Sequence, residues 1–314
     1  MCVIDRHASA SCSPDIPLRN FSPRWIPTSP WPTLRKLARS LALGAGWELD
    51  LTPKPGLVDR DDNGSHPDLT YAQMRASVCL LPEYYADLME RLRAGSPLAS
   101  CVEAGRLAEA RMLARVGSNT HRGFIFLSGL TLVGTHRAQG VRGRLGSAMA
   151  DAAKEFFRAA PMGNSHGSRA SRAFGVGGIR REAEVGLPSV FEAAWPRYAN
   201  SLQRDGNRTR AGYYAMASLM QRLEDTTTLH RCGPAGLDRV RADGRELQAL
   251  LDEGSDPRAF LRLRNAAYRR VGLTMGGVAD CLALTMALQH CFDGEPAPRR
   301  LVPASERPGA AADR

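Results

Sequence analysis

The stretch Gly117–His136, G-S-N-T-H-R-G-F-I-F-L-S-G-L-T-L-V-G-T-H, decides the fold class of this chain. Beyond Gly123 it is apolar on every side of a helix, which is the pattern of an element buried on all faces. We expect Ser118, Asn119 or Thr120 to cap this helix, and its first turn carries Asn119, His121 and Arg122. Such a helix N-terminus can hold a phosphate through its free N–H groups and its dipole, or the same residues can simply cap the helix.

The composition indicates that the partners of this buried helix are also helices. Hydrophobic residues make up 43% of the 314 residues and aromatic residues only 6%, which favours helix over sheet. No pair of strands with hairpin turns can be recognised. We therefore predict a single all-α domain, a bundle of about ten helices over residues 31–292, with disordered extensions at 1–30 and 293–314. Among these helices we expect Tyr71–Arg93, 137–163 and Arg208–Glu224.

The charge points to polyanionic partners. The formal net charge is +10 and the pI is about 9.7, which suits nucleic acid, an anionic membrane surface or phosphorylated small molecules. Seven cysteines without any C-x-x-C indicate a reducing compartment. We recognise no signal peptide and no apolar stretch that could span a membrane, so we expect a cytoplasmic protein.

The loop Leu51–Asp68 concentrates polar residues where no regular element can form. Two prolines flank Lys54, and two glycines permit turns. Loops of this kind on a helical scaffold often carry function, although a solvated surface loop would look the same. From this loop we select Lys54, Asp59, Arg60, Asp62 and His66.

Four further clusters have the same mixed character. Glu224 continues an apolar helical stripe and Asp225 follows it at a predicted helix C-terminus, where the dipole disfavours anions. Either a cation is near, Mg²⁺ or Arg231, or the two acids lie at a frayed and solvated helix end. Gly276 and Gly277 open a buried helix ahead of Asp280, and glycines there allow close approach to an anion. The other clusters supply His166, Arg180 and Glu182.

Cations and carboxylates alternate in this collection, which suits a polyphosphate held by arginine, lysine and metal beside an acid or base. The P-loop pattern G-x-x-x-x-G-K-[ST] is missing, so a nucleotide would be bound by helix termini and loops. No G-x-S-x-G and no cysteine in a reactive setting supports a covalent nucleophile.

These clusters also resemble a known family. The chain resembles the triphosphoribosyl-dephospho-CoA synthases, also called ATP:dephospho-CoA triphosphoribosyltransferases, over about Leu41 to Leu288. Five positions depart from the family pattern: Thr227 stands in place of Asn, Cys232 in place of Gly, Thr274 and Met275 in place of Ser and Pro, and Val278 in place of Ser. The matching runs are T-P-K-P-G-L-V-D (52–59) with G-S-H-P-D (64–68), N-T-H-R-G (119–123), G-I-R-R-E-A-E-V-G-L-P (178–188), L-E-D-T (223–226) and G-G-V-A-D-C-L-A (276–283).

The resemblance implies an all-helical cytoplasmic enzyme that joins ATP and 3'-dephospho-CoA with release of adenine. Its product would be the precursor of the prosthetic group of the acyl carrier protein of malonate decarboxylase or citrate lyase. The G-S-H-x-D-L region is closer to the malonate decarboxylase branch. A separate transferase would then receive the product; no nucleic acid or membrane partner is expected, and a homodimer is left open.

For this reaction we assign roles as hypotheses. Glu182 or Glu224 would be the base and electrostatic stabiliser, and His121 or His66 would orient a phosphate or protonate adenine. The predicted Mg²⁺ ligands are Asp59, Asp62, Asp225 and Asp280. The predicted substrate-binding residues are Lys54, Arg60, His66, Asn119, Arg122, His166, Arg180, Arg231, Gly276 and Gly277.

Two other classes compete with this interpretation. A basic helical module that binds nucleic acid or an acidic carrier protein would explain the charge, but not acids in apolar stripes such as Glu224. A helical Mg²⁺-dependent nucleotide or ADP-ribose hydrolase would use similar residues with water in place of the second nucleotide.

Overall fold

The computed structural model describes residues 29–159 and 166–294, without the side chains of 166–168. Nearly all of the two predicted disordered extensions lies outside these ranges. A 3-10 turn at Arg142–Arg144 precedes α6, and a π-helical turn at Ser189–Ala194 leads into α9. The helices are α1 (Trp31–Asp50), α2 (Tyr71–Val78), α3 (Leu81–Arg93), α4 (Leu98–Val116), α5 (Arg122–Arg137), α6 (Leu145–Ala159), α7 (His166–Phe174), α8 (Gly178–Glu184), α9 (Trp195–Asp205), α10 (Arg208–Arg222), α11 (Thr226–Asp252), α12 (Arg258–Val271) and α13 (Gly276–Phe292).

Helix α5 is the buried element that its sequence predicts. From Phe124 to Thr135 every residue is buried except the half-buried Phe126. At Gly129 the Tyr84 hydroxyl of α3 approaches so closely that a Cβ would overlap it. Small residues along an apolar helix therefore let neighbouring helices pack against its backbone.

Helices α1 and α13 form an antiparallel pair beside α5. Ser40, at the middle of α1, lies with its Oγ 2.9 Å from Nδ1 of His290 near the end of α13. One turn further along α1, a Cβ on Gly44 would stand 2.8 Å from the Cβ of Ala287. The C-terminal end of α1 therefore meets the N-terminal end of α13, and the loop that follows α1 begins there.

One hydrophobic cluster runs from Leu34 to Phe292 and includes buried residues of every α-helix except α2 and α7. Within the described residues no β-strand occurs. The predicted single all-α domain is confirmed.

Several predicted helix boundaries are wrong. The predicted helix Tyr71–Arg93 is two helices, because Pro82 lies in the first turn of α3 and lacks the N–H that would continue α2. The predicted helix 137–163 begins only at Leu145, because α5 extends to Arg137 and a turn follows. The predicted cap by Ser118, Asn119 or Thr120 is also wrong, since His121 precedes α5 without any side-chain cap.

The region after α10 also differs from the prediction. Helix α10 ends at Arg222 rather than at Glu224, because Leu223 is extended, with φ of −73° and ψ of 132°. Helix α11 then begins at Thr226 and is broken at Gly233, whose φ of 62° and ψ of −166° are not helical. The described residues contain thirteen α-helices instead of about ten, since the split of Tyr71–Arg93 and the short α7 and α8 add to the count.

Candidate active site

The loop between α1 and α2 is held in shape by one carboxylate. Oδ2 of Asp59 accepts the backbone N–H of Lys54 at 2.7 Å, and its Oδ1 accepts those of Asp61 and Asp62 at 2.8 and 3.2 Å. Asp59 is buried, and this burial raises its pKa while the backbone donors oppose the rise. Both oxygens therefore stabilise the loop, and the assignment of Asp59 as a metal ligand stays a prediction.

A second aspartate joins the loop to α12. Oδ1 of Asp62 accepts the N–H of Gly64 at 2.6 Å, and its Oδ2 accepts from Asn265 at 2.8 Å and from Arg269 at 3.2 Å. Asn265 in turn accepts the N–H of Gly56 at 2.9 Å, where φ is 70° and favours glycine. Asp62 is thus already bound to three donors, and its role as a metal ligand also stays a prediction.

The end of the loop contacts α11 and the residues just before α13. Nε2 of His66 lies 2.9 Å from Oγ1 of Thr274, and Arg231 donates to the carbonyl of Ser65 at 3.1 Å. Burial, and then the charge of Arg231, lowers the pKa of His66. Two predicted substrate-binding residues, His66 and Arg231, are therefore neighbours.

Lys54 is fully buried and forms an ion pair that the sequence did not reveal. Its Nζ donates to Oε1 and to the backbone carbonyl of Glu48 in the last turn of α1, both at 2.5 Å. Burial raises the pKa of Glu48, and the charge of Lys54 opposes that rise. The third N–H of Lys54 has no acceptor among the described residues, and the side chain is fully enclosed, so its assignment to the substrate stays a prediction.

Three carboxylates act on one another where α1, α5 and α13 meet. Burial, followed by the negative charges of Glu48 and Asp225, raises the pKa of Asp280 well above its usual value. Asp280 packs on Gly123 in the first turn of α5, where a Cβ would overlap its Oδ2. Among the described residues no hydrogen-bond donor or cation is paired with Asp280, so its oxygens are open to a ligand.

Asp225 caps two helices at once. Its Oδ1 accepts the N–H groups of Thr227 at 2.8 Å and Thr228 at 3.0 Å, and its Oδ2 accepts that of Val278 at 2.9 Å. The prediction that Asp225 lies at a helix C-terminus is wrong, because α10 ends at Arg222 and Asp225 is the N-cap of α11. The dipoles of α11 and α13 therefore favour this carboxylate, and no cation is needed to explain its position.

The glycine pair at the start of α13 fits closely against Asp225. A Cβ on Gly277 would stand 3.0 Å from Oδ2 of Asp225, and one on Gly276 would stand 3.2 Å from Oγ1 of Thr227. Two of the departures from the family motifs, Thr227 and Val278, contribute backbone N–H groups to Asp225. Because backbone N–H groups make these two contacts, the contacts do not depend on which side chains stand at positions 227 and 278.

His121 is buried immediately before α5. Its Nδ1 lies 2.7 Å from Oγ of Ser77 and 3.1 Å from Oγ1 of Thr120. Burial, and then the charge of Lys54, lowers the pKa of His121 to about 4. The imidazole is therefore neutral near pH 7, where it can bind and orient a ligand better than it can donate a proton as an acid.

The two predicted catalytic glutamates line a second part of the site, a pocket of about 260 Å³ between α8, α10 and α11. Oε2 of Glu224 accepts the N–H groups of Gly177 at 3.1 Å and Gly178 at 3.4 Å, while Oε1 has no donor among the described residues. Glu182 accepts the hydroxyl and the N–H of Ser189 at 2.7 and 3.3 Å, one on each oxygen. Glu224 thus retains an open oxygen, and Glu182 stabilises the turn before α9.

Two of the predicted substrate-binding residues share one glutamate at the edge of the site. Arg122 is 60% exposed and pairs with Glu109 at 3.3 Å, and the Asn119 amide donates to the same carboxylate at 2.9 Å. Oδ1 of Asn119 is buried and has no donor among the described residues. Both residues lie one or two positions from His121, so they flank the buried group.

Of the remaining predicted residues, two form ion pairs away from the buried group, and the side chain of the third is outside the described residues. Arg60 is exposed and pairs with Asp50 at 2.8 Å. Arg180 pairs with Glu184 at 3.1 Å and lies over the ring of Phe157, at 4.7 Å from its centroid. The predicted residue His166 begins α7, but its side chain is outside the described residues.

Sequence reasoning missed Glu48, Ser77 and the arginines that line the pocket. Glu48 continues the buried positions Leu41 and Ala45 of α1 at helical spacing. An acid in an apolar stripe was the signal that singled out Glu224, and it could have identified Glu48 as well. Ser77 gives no such signal, because a serine in a short helix is common.

The predicted metal site is not formed by the protein alone. Within the described residues no group of three or more His, Cys, Asp or Glu side chains is placed to hold a metal ion. Of the four predicted ligands, only Asp280 lacks hydrogen-bond donors. Because Mg²⁺ is often bound by one or two carboxylates plus substrate phosphates, this donor set fits an ion that arrives on a polyphosphate.

The chain matches known proteins over most of its length. The family model described as ATP:dephospho-CoA triphosphoribosyl transferase matches residues 34–298. The 2-(5''-triphosphoribosyl)-3'-dephosphocoenzyme-A synthase of Klebsiella pneumoniae is 38% identical over 253 residues, which are 77% of this chain and 90% of that protein. A probable synthase of the same name from Stutzerimonas stutzeri (strain A1501) is 34% identical over 273 residues, 83% of this chain and 90% of that protein. No solved structure gives a significant match.

Fold and site together define an all-α protein with a buried carboxylate–lysine group at converging helix ends. The chain belongs to the ATP:dephospho-CoA triphosphoribosyl transferase family. The resemblance found in the motifs is thereby confirmed, and the malonate decarboxylase branch stays a prediction. Among the described residues no helix is both long enough and apolar enough to cross a membrane.

Proposed function

We propose that this protein transfers the triphosphoribosyl group of ATP to 3'-dephospho-CoA and releases adenine. One observation supports this most directly. Four of the five motifs meet around one buried group, to which they contribute Lys54, Gly123, Asp225 and Asp280, and Glu48 of α1 completes it. The fifth motif, 178–188, contacts the neighbouring Glu224 through the N–H of Gly178. Helix N-termini favour phosphates, and carboxylates stabilise the positive charge that develops on a ribose ring when its base departs.

The reaction breaks the bond between C1 of the ATP ribose and adenine, and it forms a bond from C1 to the 2'-oxygen of dephospho-CoA. The proton of that hydroxyl needs a base. Glu224 fits better than Glu182, because its Oε1 has no donor among the described residues whereas both oxygens of Glu182 are bound to Ser189. Glu182 then serves to position the turn before α9.

Adenine needs a proton as it leaves. Asp280 is suited to supply it, because its raised pKa favours the protonated form and its oxygens have no donor among the described residues. His121 would instead orient a phosphate or the base as a neutral imidazole. The open N–H of Lys54 would bind a phosphate oxygen, with Arg122 and Arg180 as clamps at the periphery.

Magnesium is part of the proposal as an ion carried by the triphosphate. It would neutralise phosphate charge and would be held mainly by the triphosphate oxygens, because Asp280 is assigned here to the proton; the roles of Asp59, Asp62, Asp225 and Asp280 as metal ligands stay predictions. Omission of Mg²⁺, with chelator present, is expected to raise the KM for ATP. Unchanged kinetics in chelator would remove the metal from the proposal.

The wider role follows from the chemistry of the product. We propose that the product is the precursor of the prosthetic group of a malonate decarboxylase or citrate lyase acyl carrier protein, passed on by a separate transferase in the cytoplasm. Oligomeric state is open, and a homodimer is compatible with the proposal. Complementing a strain that lacks the gene in each pathway would distinguish the two branches.

The decisive experiment incubates the protein with ATP alone and then with ATP plus 3'-dephospho-CoA. Adenine that appears only with the second nucleotide supports transfer, whereas adenine or phosphate from ATP alone would support a hydrolase. A protein that does neither but binds DNA with steep salt dependence would support the binding module.

Glutamine variants then test the carboxylate roles. Glu224→Gln is expected to slow adenine release at least about a hundredfold, in the range that general base catalysis supplies. Glu182→Gln should have a smaller effect, and Glu246→Gln, an exposed glutamate on α11, is the matched control. Near wild-type rates in both Glu224→Gln and Glu182→Gln would contradict these roles.

A further inference from the structure

Three arginines line the 260 Å³ pocket that contains Glu182 and Glu224. Arg181 comes from α8, Arg222 is the last residue of α10, and Arg241 lies on α11. Three separate elements therefore direct cationic side chains to one pocket. None of the three arginines belongs to the predicted substrate-binding set.

No strong ion pair engages these arginines. Within the described residues Arg181 and Arg222 form no ion pair, and Arg241 has only Asp238 at 3.9 Å. Neighbouring arginines differ, since Arg180 pairs with Glu184 at 3.1 Å. The pocket therefore holds cations that are free to bind an anion.

The glutamates of the same pocket do not form ion pairs with these arginines, although their charges remain and offset part of the positive charge. Glu224 accepts the N–H groups of Gly177 and Gly178, and Glu182 accepts from Ser189. With three arginines and two carboxylates the lining keeps a positive excess. Arginine's planar fork binds phosphate oxygens in pairs, so a phosphate chain suits the pocket better than a single carboxylate.

The volume of the pocket limits the size of the group that it can enclose. A volume of about 260 Å³ corresponds to about nine water molecules at roughly 30 Å³ each. It is smaller than the roughly 300–1,000 Å³ of pockets for drug-sized ligands. A diphosphate or triphosphate chain is compatible with this space, whereas a whole nucleotide would extend beyond it.

We propose that Arg181, Arg222 and Arg241 form a phosphate subsite that binds the polyphosphate chain of one of the two nucleotide substrates. The inference rests on the proposed function and adds to it a specificity element apart from Lys54. The ligand of this subsite is either the triphosphate of ATP or the diphosphate of dephospho-CoA, because both present phosphate oxygens that arginine can bind.

The test compares Arg181→Gln, Arg222→Gln and the double variant with wild type in adenine release, varying each nucleotide in turn. The KM for one nucleotide should rise about five- to tenfold in the single variants, because a charge-assisted contact is lost, while kcat changes little. Arg222→Lys keeps the charge but loses the fork and should be intermediate. Arg245→Gln, an exposed arginine one turn after Arg241 on α11, is the matched control.

A second readout uses inorganic pyrophosphate and tripolyphosphate as calorimetric probes of the full chain. Wild type should bind at least one of them, and the double variant should bind it about tenfold more weakly. A higher KM for ATP assigns the triphosphate, and a higher KM for dephospho-CoA assigns the diphosphate. Thermal unfolding of each variant confirms that the fold is kept.

Several results would overturn the subsite. Unchanged KM values for both nucleotides together with unchanged probe binding would do so, and so would a fall in kcat alone. If wild type releases no adenine, the proposed function fails while the probe titration still decides whether the subsite exists. The two failures are therefore distinguishable.

Discussion

Replacing Lys54 by methionine tests whether its buried pair with Glu48 stabilises the whole domain. Methionine keeps much of the length of the side chain, so the change removes mainly the charge and its hydrogen bonds. Removing one partner of a buried ion pair typically costs about 3–5 kcal/mol, because the other charge is left unpaired. For a chain of this size such a loss lowers Tm by roughly 6–15 °C.

The free energy of unfolding that Lys54→Met loses should be larger at high pH than at low pH. Burial raises the pKa of Glu48 in the folded state, so its contribution to stability is fully present below the unfolded pKa and is lost as pH rises through the folded value. Without Lys54 the charge that opposes this rise is gone. Lys54→Met should therefore be less destabilised at pH 5 than at pH 8, with a slope of at most about 1.4 kcal/mol per pH unit for one proton.

The assay is urea unfolding followed by circular dichroism at pH 5, 6.5 and 8. The double variant Glu48→Gln/Lys54→Met carries neither charge and should recover much of the lost stability. Lys154→Met, which removes an exposed lysine of α6, is the matched control. The reasoning is refuted if Lys54→Met is as stable as wild type at pH 8, or if it is equally destabilised at pH 5 and pH 8.

Three further predictions follow from the site. Asp225→Ala removes the cap of two helices and should lower the free energy of unfolding by about 1–4 kcal/mol, measured in urea, while Asp225→Asn should lose less because it keeps an acceptor. Gly123→Ala places a methyl group where Asp280 now packs; adenine release should fall with little change in Tm, and normal activity would show that the position of Asp280 does not matter. His121→Gln should not change the pH dependence of kcat between pH 6 and 8, because the pKa of His121 is about 4 and the imidazole does not titrate in that range. If wild type shows a titration step between pH 6 and 8 that the variant lacks, the imidazole is not neutral as argued.

The fold could be predicted from local patterns because those patterns reflect burial directly. The apolar run after Gly123 and the stripe of Met216, Leu219 and Met220 both become buried helical residues. Boundaries were less predictable. Whether α10 stops at Arg222 depends on the extended backbone of Leu223, and no residue there is a strong helix breaker.

Most residues of the candidate site could be selected from the sequence, but the atoms that each of them contacts could not. Lys54 was expected to face a ligand, yet it pairs with Glu48, a contact set by the direction in which the chain leaves α1. Asp225 was expected to need a cation, yet it caps α13, which begins some fifty residues later; its bond to Val278 spans 53 positions. Such distant backbone contacts have no signature in the local sequence.

The antiparallel pairing of α1 with α13 has a consequence for the synthesis of the protein. The contact between Ser40 and His290 joins residues 250 positions apart. At about 5–20 residues per second, a ribosome needs roughly 12–50 s to travel between them. During that time α1 exposes the apolar face that α13 will cover, and Glu48 and Lys54 exist without Asp280. An unfinished chain therefore lacks part of the candidate site, and it should depend on chaperones until its last helix emerges.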